Sequence, residues 1–184
     1  EAKIIPVTDN TIETRVKTDE GEMHLQEFWV KHRGRNKVEG IQYIGSEKAR
    51  PSPEAINAIQ NSKLVIIAPA NPYTSIGPVL AIKAIRKELV KNRRKVVAIS
   101  PIIGNAALSG PAAKYMESAG NEVSAYGVAK MYANVCSKIV IDTKDRMQTK
   151  KIETLNMQVY DTKIRMTNKK TEDALASFIL KQVT

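Results

Sequence analysis

A short apolar run that stops at a proline, passes through a polar turn and becomes a helical pattern constrains this chain most. Leu64 to Ala68 is unbroken and rich in β-branched side chains, Pro69 ends it, and Asn, Pro, Thr, Ser and Gly crowd positions 69–78. From Gly77-Pro78 onward, apolar residues recur at helical spacing as Val79, Leu80, Ile82, Ile85 and Leu89. Such a run predicts a central strand buried on both faces of a parallel sheet, followed by a tight loop and a helix that breaks near Lys83. Ligands of α/β sheets gather at the carboxyl ends of the strands. A helix N-terminus there presents unpaired N–H groups and the positive end of its dipole to an anion. Asn71, Thr74 and Ser75 add polar side chains. Ser75 as N-cap with a proline in the first turn is equally an ordinary helix start. The turn alone leaves an anion site and a plain cap both open.

The rest of the chain supplies a frame for this unit. Strands are expected at Lys3–Val7, at Ile12–Thr18, from Met23 before a short helix, and at Val38–Ile44, with a hairpin turn at Asp19-Glu20-Gly21-Glu22. Residues 1–48 therefore read as an antiparallel lid on a core formed by 49–184. In the core, Ser52 caps a helix over 53–60. Val96–Ile99 and Lys138–Ile141 are further buried strands, and Gln158–Tyr160 is a fourth. Helices are expected at 111–119, closed by Gly120, at 124–133, at 144–155, and at 171–181 with Thr171 as cap. This alternation predicts a Rossmann-like α/β fold: a mostly parallel three-layer sheet with a small antiparallel insertion near the N-terminus. Its polar loops at 69–78, 100–111 and 161–167 would open on one edge.

Composition limits what such an edge can bind. The net charge is +10, yet lysines and arginines are dispersed, with the densest cluster at Lys91–Lys95, and only 5% of residues are aromatic. Base-stacking surfaces need more aromatics, so the charge argues for a polyphosphate ligand or a solvated surface rather than nucleic acid. A single cysteine, Cys136, excludes an internal disulfide and points to a reducing cytoplasm. Cys136 reads as a small core residue, and His24 and His32 as surface histidines without metal spacing. No run is long enough for a membrane span, and EAKIIPV is neither a signal peptide nor a start with Met, which suggests a fragment or a processed chain. No Ser–His–Asp, Cys–His, Walker or GxGxxG arrangement is present. Phosphoryl-type transfer needs none of them, because positioning and charge neutralisation carry it.

Two extended motifs then identify a resemblance. NPYTSIGPVLAI at 71–82 is similar to the NPxxSIGPILA stretch of the 2-phospho-L-lactate transferases of deazaflavin coenzyme F(420) biosynthesis, and SPIIGNAALSGPAAKYM at 100–116 resembles that family's second loop and helix. VTDNTIETRVKTDEGEMHLQEFWVKHR at 7–33, ARPSPEAINAI at 49–59, EVSAYGVAKMY at 122–132 and IVIDTKD at 139–145 agree in order. Thr8-Asp9-Asn10 stands where the family often has SDD, and Asn105 replaces a usual Gly or Lys. The resemblance covers the C-terminal two-thirds of a member; the glycine-rich strand-loop that opens the family has no counterpart here. It implies transfer of a phospholactyl-type group from a guanosine-diphosphate-linked donor to the deazaflavin precursor Fo, with release of GMP and with Mg²⁺ as cofactor. It implies donor-phosphate contacts at Asn71, Pro72, Ser75, Ile76 and Gly77, an opposite wall at Ser100, Gly104 and Gly110, and an acceptor-side role for Asp9. A homodimer is expected from the apolar sheet edge. A nucleotide-sugar-binding regulator of the gluconeogenesis-factor type, which shares the strand–turn–helix unit, is the alternative.

Overall fold

Apolar side chains at alternate positions make one sheet of this molecule, and unbroken apolar runs make the other. A computed structural model of the chain describes residues 2–108 and 110–183. Strands β1 (Glu13–Thr18), β2 (Gly21–His24) and β3 (Val38–Ile44) form an antiparallel sheet in the order β2-β1-β3, with Val16 opposite both Met23 and Ile41. Val16, Met23, Phe28 and Val38 turn inward and pack on Tyr115. Phe28 belongs to a π-helical turn, Glu27–Lys31, that follows β2. Lys3–Val7 is not a strand. Pro6 has no N–H for a ladder, and the segment is held through Ser52, whose Oγ donates to the Pro6 carbonyl (2.6 Å) and whose N–H donates to the Val7 carbonyl (2.9 Å).

The parallel sheet has the order β4-β5-β8-β9: β4 (Val65–Ile67), β5 (Val96–Ile99), β8 (Lys138–Asp142) and β9 (Gln158–Thr162). Between β5 and β8 lies a two-stranded ribbon, β6 (Ile102–Ile103) and β7 (Ala106–Ala107). The strand expected at the centre, β4, is instead at the edge of the sheet: Ile67 is buried, but Ile66 is 45% exposed. All four residues of β5, and Ile139 to Asp142 of β8, are buried, so those two strands occupy the middle. An apolar run reports which side chains avoid water and not which backbone pairs with which, so edge and centre read alike.

Helices α1 (Pro53–Asn61), α2 (Ile76–Ala81), α3 (Lys83–Lys91), α4 (Ala112–Ser118), α5 (Ala125–Tyr132) and α6 (Thr149–Glu153) supply the larger core, in which Ile82, Ile85, Val128, Tyr132 and Ile152 meet Ile67, Ala98 and Ile139. Cys136 is fully buried in this core, and burial pushes its thiol up to about 12, only partly offset by the charge of Arg93. On the opposite face Val97, Ile99 and Val140 pack against Leu175, Ile179 and Val183, from α7 (Lys169–Phe178) and the π-helical turn after it. The α2–α3 break falls at Ile82, beside the expected position.

Two helix starts differ from expectation. The stretch expected to be one helix from 144 opens as a 3-10 turn, Thr143–Gln148, capped by Asp142, whose carboxylate accepts from the Lys144 N–H. The last helix starts two residues early because Asn168 is the cap. Its Oδ1 accepts from the Thr171 N–H while the Thr171 Oγ1 accepts from the Asn168 N–H, a reciprocal box that puts Thr171 at the third helical position.

Candidate functional site

Two of the three polar loops, and the turn Thr143–Gln148 in the stretch where the sequence predicts a helix, converge at the carboxyl ends of β8 and β9. They enclose a cleft of about 890 Å³, within the size range of small-molecule sites. One wall is apolar: Ile103, Ala106, Ala107 and Leu108 of the β6–β7 ribbon, and Ala174 and Leu175 of α7. The other is charged: Lys144, Arg146, Lys163 and Arg165, with Asp142 and Asp161 between them and the hydroxyls of Thr143, Thr162, Thr167 and Thr171 nearby. Such a lining suits a ligand with an apolar part and an anionic part.

The three aspartates at this end do different work. Asp142 is buried, and its oxygens accept from the N–H groups of Lys144 (3.1 Å) and Ile164 (3.2 Å), which ties both loops to the end of β8. Asp145, 2% exposed, accepts from the Gly104 N–H at 3.1 Å to both oxygens and from the Gln148 side chain at 3.1 Å. Gly104 has φ +54°, a left-handed conformation that suits glycine, and its N–H thereby fixes the turn of the ribbon. Asp161 is half-buried and is gripped by Arg146, whose Nε and Nη2 both donate to Oδ2 (3.0 and 2.6 Å).

Burial raises Asp145 above the ordinary carboxylate range, with the Gly104 N–H opposing the rise. A carboxyl with a raised folded pKa binds more protons in the folded than in the unfolded state, so its contribution to stability falls as pH rises through the window above the unfolded value. The stability of the natural chain minus that of the Asp145→Asn variant should therefore decrease from about pH 4 toward neutrality, as read by denaturant unfolding. A pH-independent difference would contradict the burial argument.

The residues expected from sequence divide into two groups. Ser100 lies under the cleft rather than in it: fully buried, its Oγ donates to the Ile102 carbonyl (2.9 Å) and accepts from the Ile102 N–H (3.1 Å), shaping the start of the ribbon. Gly104 is exposed at the ribbon's turn, and Gly110 (φ +65°) is exposed beyond it. Asn71, Pro72, Ser75, Ile76 and Gly77 do not line the cleft; Ile76 packs against the larger core, and Gly77 stands against Tyr43 of the antiparallel sheet. Asn71 Oδ1 accepts from the N–H groups of Tyr73 (2.9 Å) and Thr74 (3.2 Å), so Asn71, not Ser75, organises the turn. Ser75 makes no side-chain cap, and α2 is only six residues long. The Tyr43 hydroxyl donates to the Tyr73 carbonyl (2.6 Å), and Asn121 Nδ2 donates to the Tyr73 hydroxyl (2.7 Å). A Cβ on Gly77 would collide with the Tyr43 hydroxyl. Asp9 is exposed in the N-terminal segment.

The sequence reading missed Asp142, Lys144, Asp145 and Arg146. IVIDTKDR does carry a signal, a buried strand ending in a capping Asp, but the charges after it also fit the outer face of a helix.

Comparison with known proteins fits this architecture. A family model described as 2-phospho-L-lactate transferase CofD matches residues 1–182. A 2-phospho-L-lactate transferase of Methanosarcina mazei is 39% identical over 179 residues, covering 97% of this chain and 58% of the relative. One from Methanocaldococcus jannaschii is 44% identical over 176 residues, covering 90% and 56%. The chain thus spans a little over half the length of the curated relatives it matches. Among solved structures, an X-ray structure from Bacillus halodurans has a TM-score of 0.64 at 14% identity, covering 98% of this chain and 62% of that one. A crystal structure of a UPF0052 family member from the same organism has a TM-score of 0.61 at 14% identity, covering 95% and 62%. At that identity the likeness is one of fold.

Proposed function

This chain belongs to the 2-phospho-L-lactate transferase family, and we propose that it supplies the donor half of such a transferase. In this reading the cleft takes a guanosine-diphosphate-linked donor, whose phospholactyl-type group passes to the hydroxyl of the deazaflavin precursor Fo while GMP leaves. The observation that carries it is the two-sided lining of the cleft, apolar ribbon and α7 against Lys144, Lys163 and Arg165, at the strand ends where α/β sheets bind ligands. The acceptor hydroxyl is the nucleophile, so the protein's task is to hold the diphosphate and neutralise the charge of the leaving GMP. Thr143 and Thr162 offer hydroxyl donors beside those cations. Ser75, exposed and unused by its own helix, does not line this cleft, and with Asp9 it is proposed instead as a contact to the parts of donor and acceptor that extend beyond it.

Mg²⁺ belongs to this reading, but the residues present do not form a cage for it. No group of three or more His, Cys, Asp or Glu able to hold a metal occurs among the described residues, and Asp142, Asp145 and Asp161 are already engaged by N–H and guanidinium groups. A cation would come with the diphosphate. No described helix is long and apolar enough to cross a membrane.

The test is GMP release from the activated donor with Fo and Mg²⁺, comparing this chain with one extended to its relatives' full length, and with UDP-sugars as control ligands. The reading expects turnover from the extended chain alone. Turnover with neither chain, or binding of UDP-sugars in preference to GDP, would overturn it. The β4 edge, with Ile66 exposed, also supports a homodimer. Sedimentation should show a monomer–dimer equilibrium that Ile66→Lys shifts to monomer, because a charged side chain blocks strand-edge pairing.

A further inference from the structure

We propose that the outer face of α3, with the turn that follows it, is a docking surface for an acidic segment of a partner protein, anchored by one apolar side chain. Positions 83–95 hold seven lysines and arginines and a single glutamate, which places +6 of the chain's +10 on one helix and one turn. Ile82, Ile85 and Leu89 turn into the larger core, and the helical period thereby puts Lys83, Arg86 and Lys87 on the outside. The one carboxylate does not neutralise them. Glu88 is buried, and its oxygens accept from Asn92 Nδ2 (2.9 Å) and Lys91 Nζ (3.4 Å). Lys83, Arg86, Lys87 and Arg94 are exposed and have no acidic partner among the described residues.

The same surface has a recess. Arg93 donates from Nε and Nη2 to the carbonyls of Ala133 (2.8 Å) and Asn156 (2.9 Å), and Lys95 Nζ donates to the Gln60 carbonyl (2.6 Å). These bonds pin the turn to α1 and to the segments that follow α5 and α6. Residues 90–95 line a depression of about 410 Å³, and Val90, 46% exposed, is the apolar side chain among them. The combination selects the partner. A single-stranded nucleic acid needs aromatic platforms, and positions 81–95 contain none. A helix that holds a bilayer surface sinks its apolar face into the interface, and α3 has already buried that face in the core. A protein segment with Asp and Glu around one apolar residue uses both features: its carboxylates meet the cations, and its apolar side chain covers Val90 in the recess. The turn leads directly into β5, whereas the cleft opens at the carboxyl ends of β8 and β9. The strands are parallel, so the two surfaces lie at opposite edges of the sheet, and a partner on α3 leaves the cleft open.

The experiment is fluorescence anisotropy of a short labelled peptide, Asp and Glu around a central leucine, with the natural chain. Affinity should fall about fivefold when serine replaces that leucine, and about tenfold in Arg86→Glu with Lys87→Glu. Both of those side chains are exposed, so the variant should keep its melting temperature. Reversal of the cleft instead, by Lys163→Glu with Arg165→Glu, should leave the peptide's affinity unchanged, and so should saturating GDP. The serine comparison needs no substitution in the chain and stands even if a variant folds poorly. Equal affinity for the leucine and serine peptides would overturn the docking surface, as would a loss of binding on reversal of the cleft but not of α3. Tighter binding of a single-stranded oligonucleotide, or of phosphatidylglycerol vesicles, that the α3 variant abolishes would give the surface to nucleic acid or to membrane and overturn the protein partner.

Discussion

The double charge reversal Lys163→Glu with Arg165→Glu is expected to lower the affinity for GDP by about a hundredfold at low salt. Both side chains line the charged wall of the cleft, and neither makes an ion pair within the fold among the described residues. Their removal therefore costs the folded chain little, because exposed cations without partners add almost nothing to stability. A bound diphosphate, by contrast, exchanges two attractive contacts for two repulsive ones. Screening gives a second signature. At about 1 M salt the Debye length falls to about 3 Å, and the gap between natural and reversed chains should narrow. ADP should lose as much as GDP, since these residues address phosphate and not base. The check is calorimetry at two ionic strengths, with thermal unfolding as control. A GDP affinity unmoved by the reversal, in a chain of unchanged melting temperature, would remove the cleft from consideration.

The cleft was half legible in the sequence, for a physical reason. Loops 100–111 and 161–167 follow β5 and β9, whose apolar runs mark them as parallel strands, and strands of one parallel sheet send their following loops to one edge. The middle wall, Asp142 to Arg146, follows the same rule but was hidden by its charges, which resemble a solvated helix face. What binds it there is Asp145 reaching across to Gly104, 41 residues earlier, and no local pattern reports such a bond. The 69–78 turn shows the opposite limit. Its local chemistry was read well, as a polar turn before a helix, but β4 proved to be an edge strand, and the turn after it meets Tyr43 of the antiparallel sheet. Strand order decides which loops meet, and side-chain patterning does not encode strand order directly. Asn168 and Thr171 show the same limit at small scale: either residue can cap, and the reciprocal pair of hydrogen bonds selects Asn168.

Gly77 offers the sharpest contest between the local and the tertiary reading, because the two predict opposite signs. If Gly77 were only a flexible residue in the first turn of α2, left without a side chain so that phosphate could approach, Gly77→Ala would stabilise the unliganded chain by up to about 1 kcal/mol through helix propensity and a less disordered unfolded state. The structure instead puts the Tyr43 hydroxyl where that Cβ would stand, with the Tyr43 Cζ at 2.6 Å and the Pro72 carbonyl oxygen at 3.0 Å. Tyr43 cannot withdraw freely, since its hydroxyl is bonded to the Tyr73 carbonyl at 2.6 Å and the ring is part-buried between β3 and the turn. Overpacking of this kind costs about 1–3 kcal/mol, more than propensity returns, so Gly77→Ala should destabilise the chain by about 1–2 kcal/mol in denaturant unfolding. Tyr43→Phe removes the colliding oxygen together with its hydrogen bond, and by itself should cost about 1 kcal/mol. In that background the ring Cζ, 2.6 Å from the Cβ position, still stands in the way, but without the bond to the Tyr73 carbonyl the ring can turn aside, so Gly77→Ala should cost less. The two substitutions are thus expected to couple favourably in a double-mutant cycle. Additive losses would mean that the turn relaxes away from Tyr43, and a stabilising Gly77→Ala that weakens GDP binding would return Gly77 to the phosphate role that its motif first suggested.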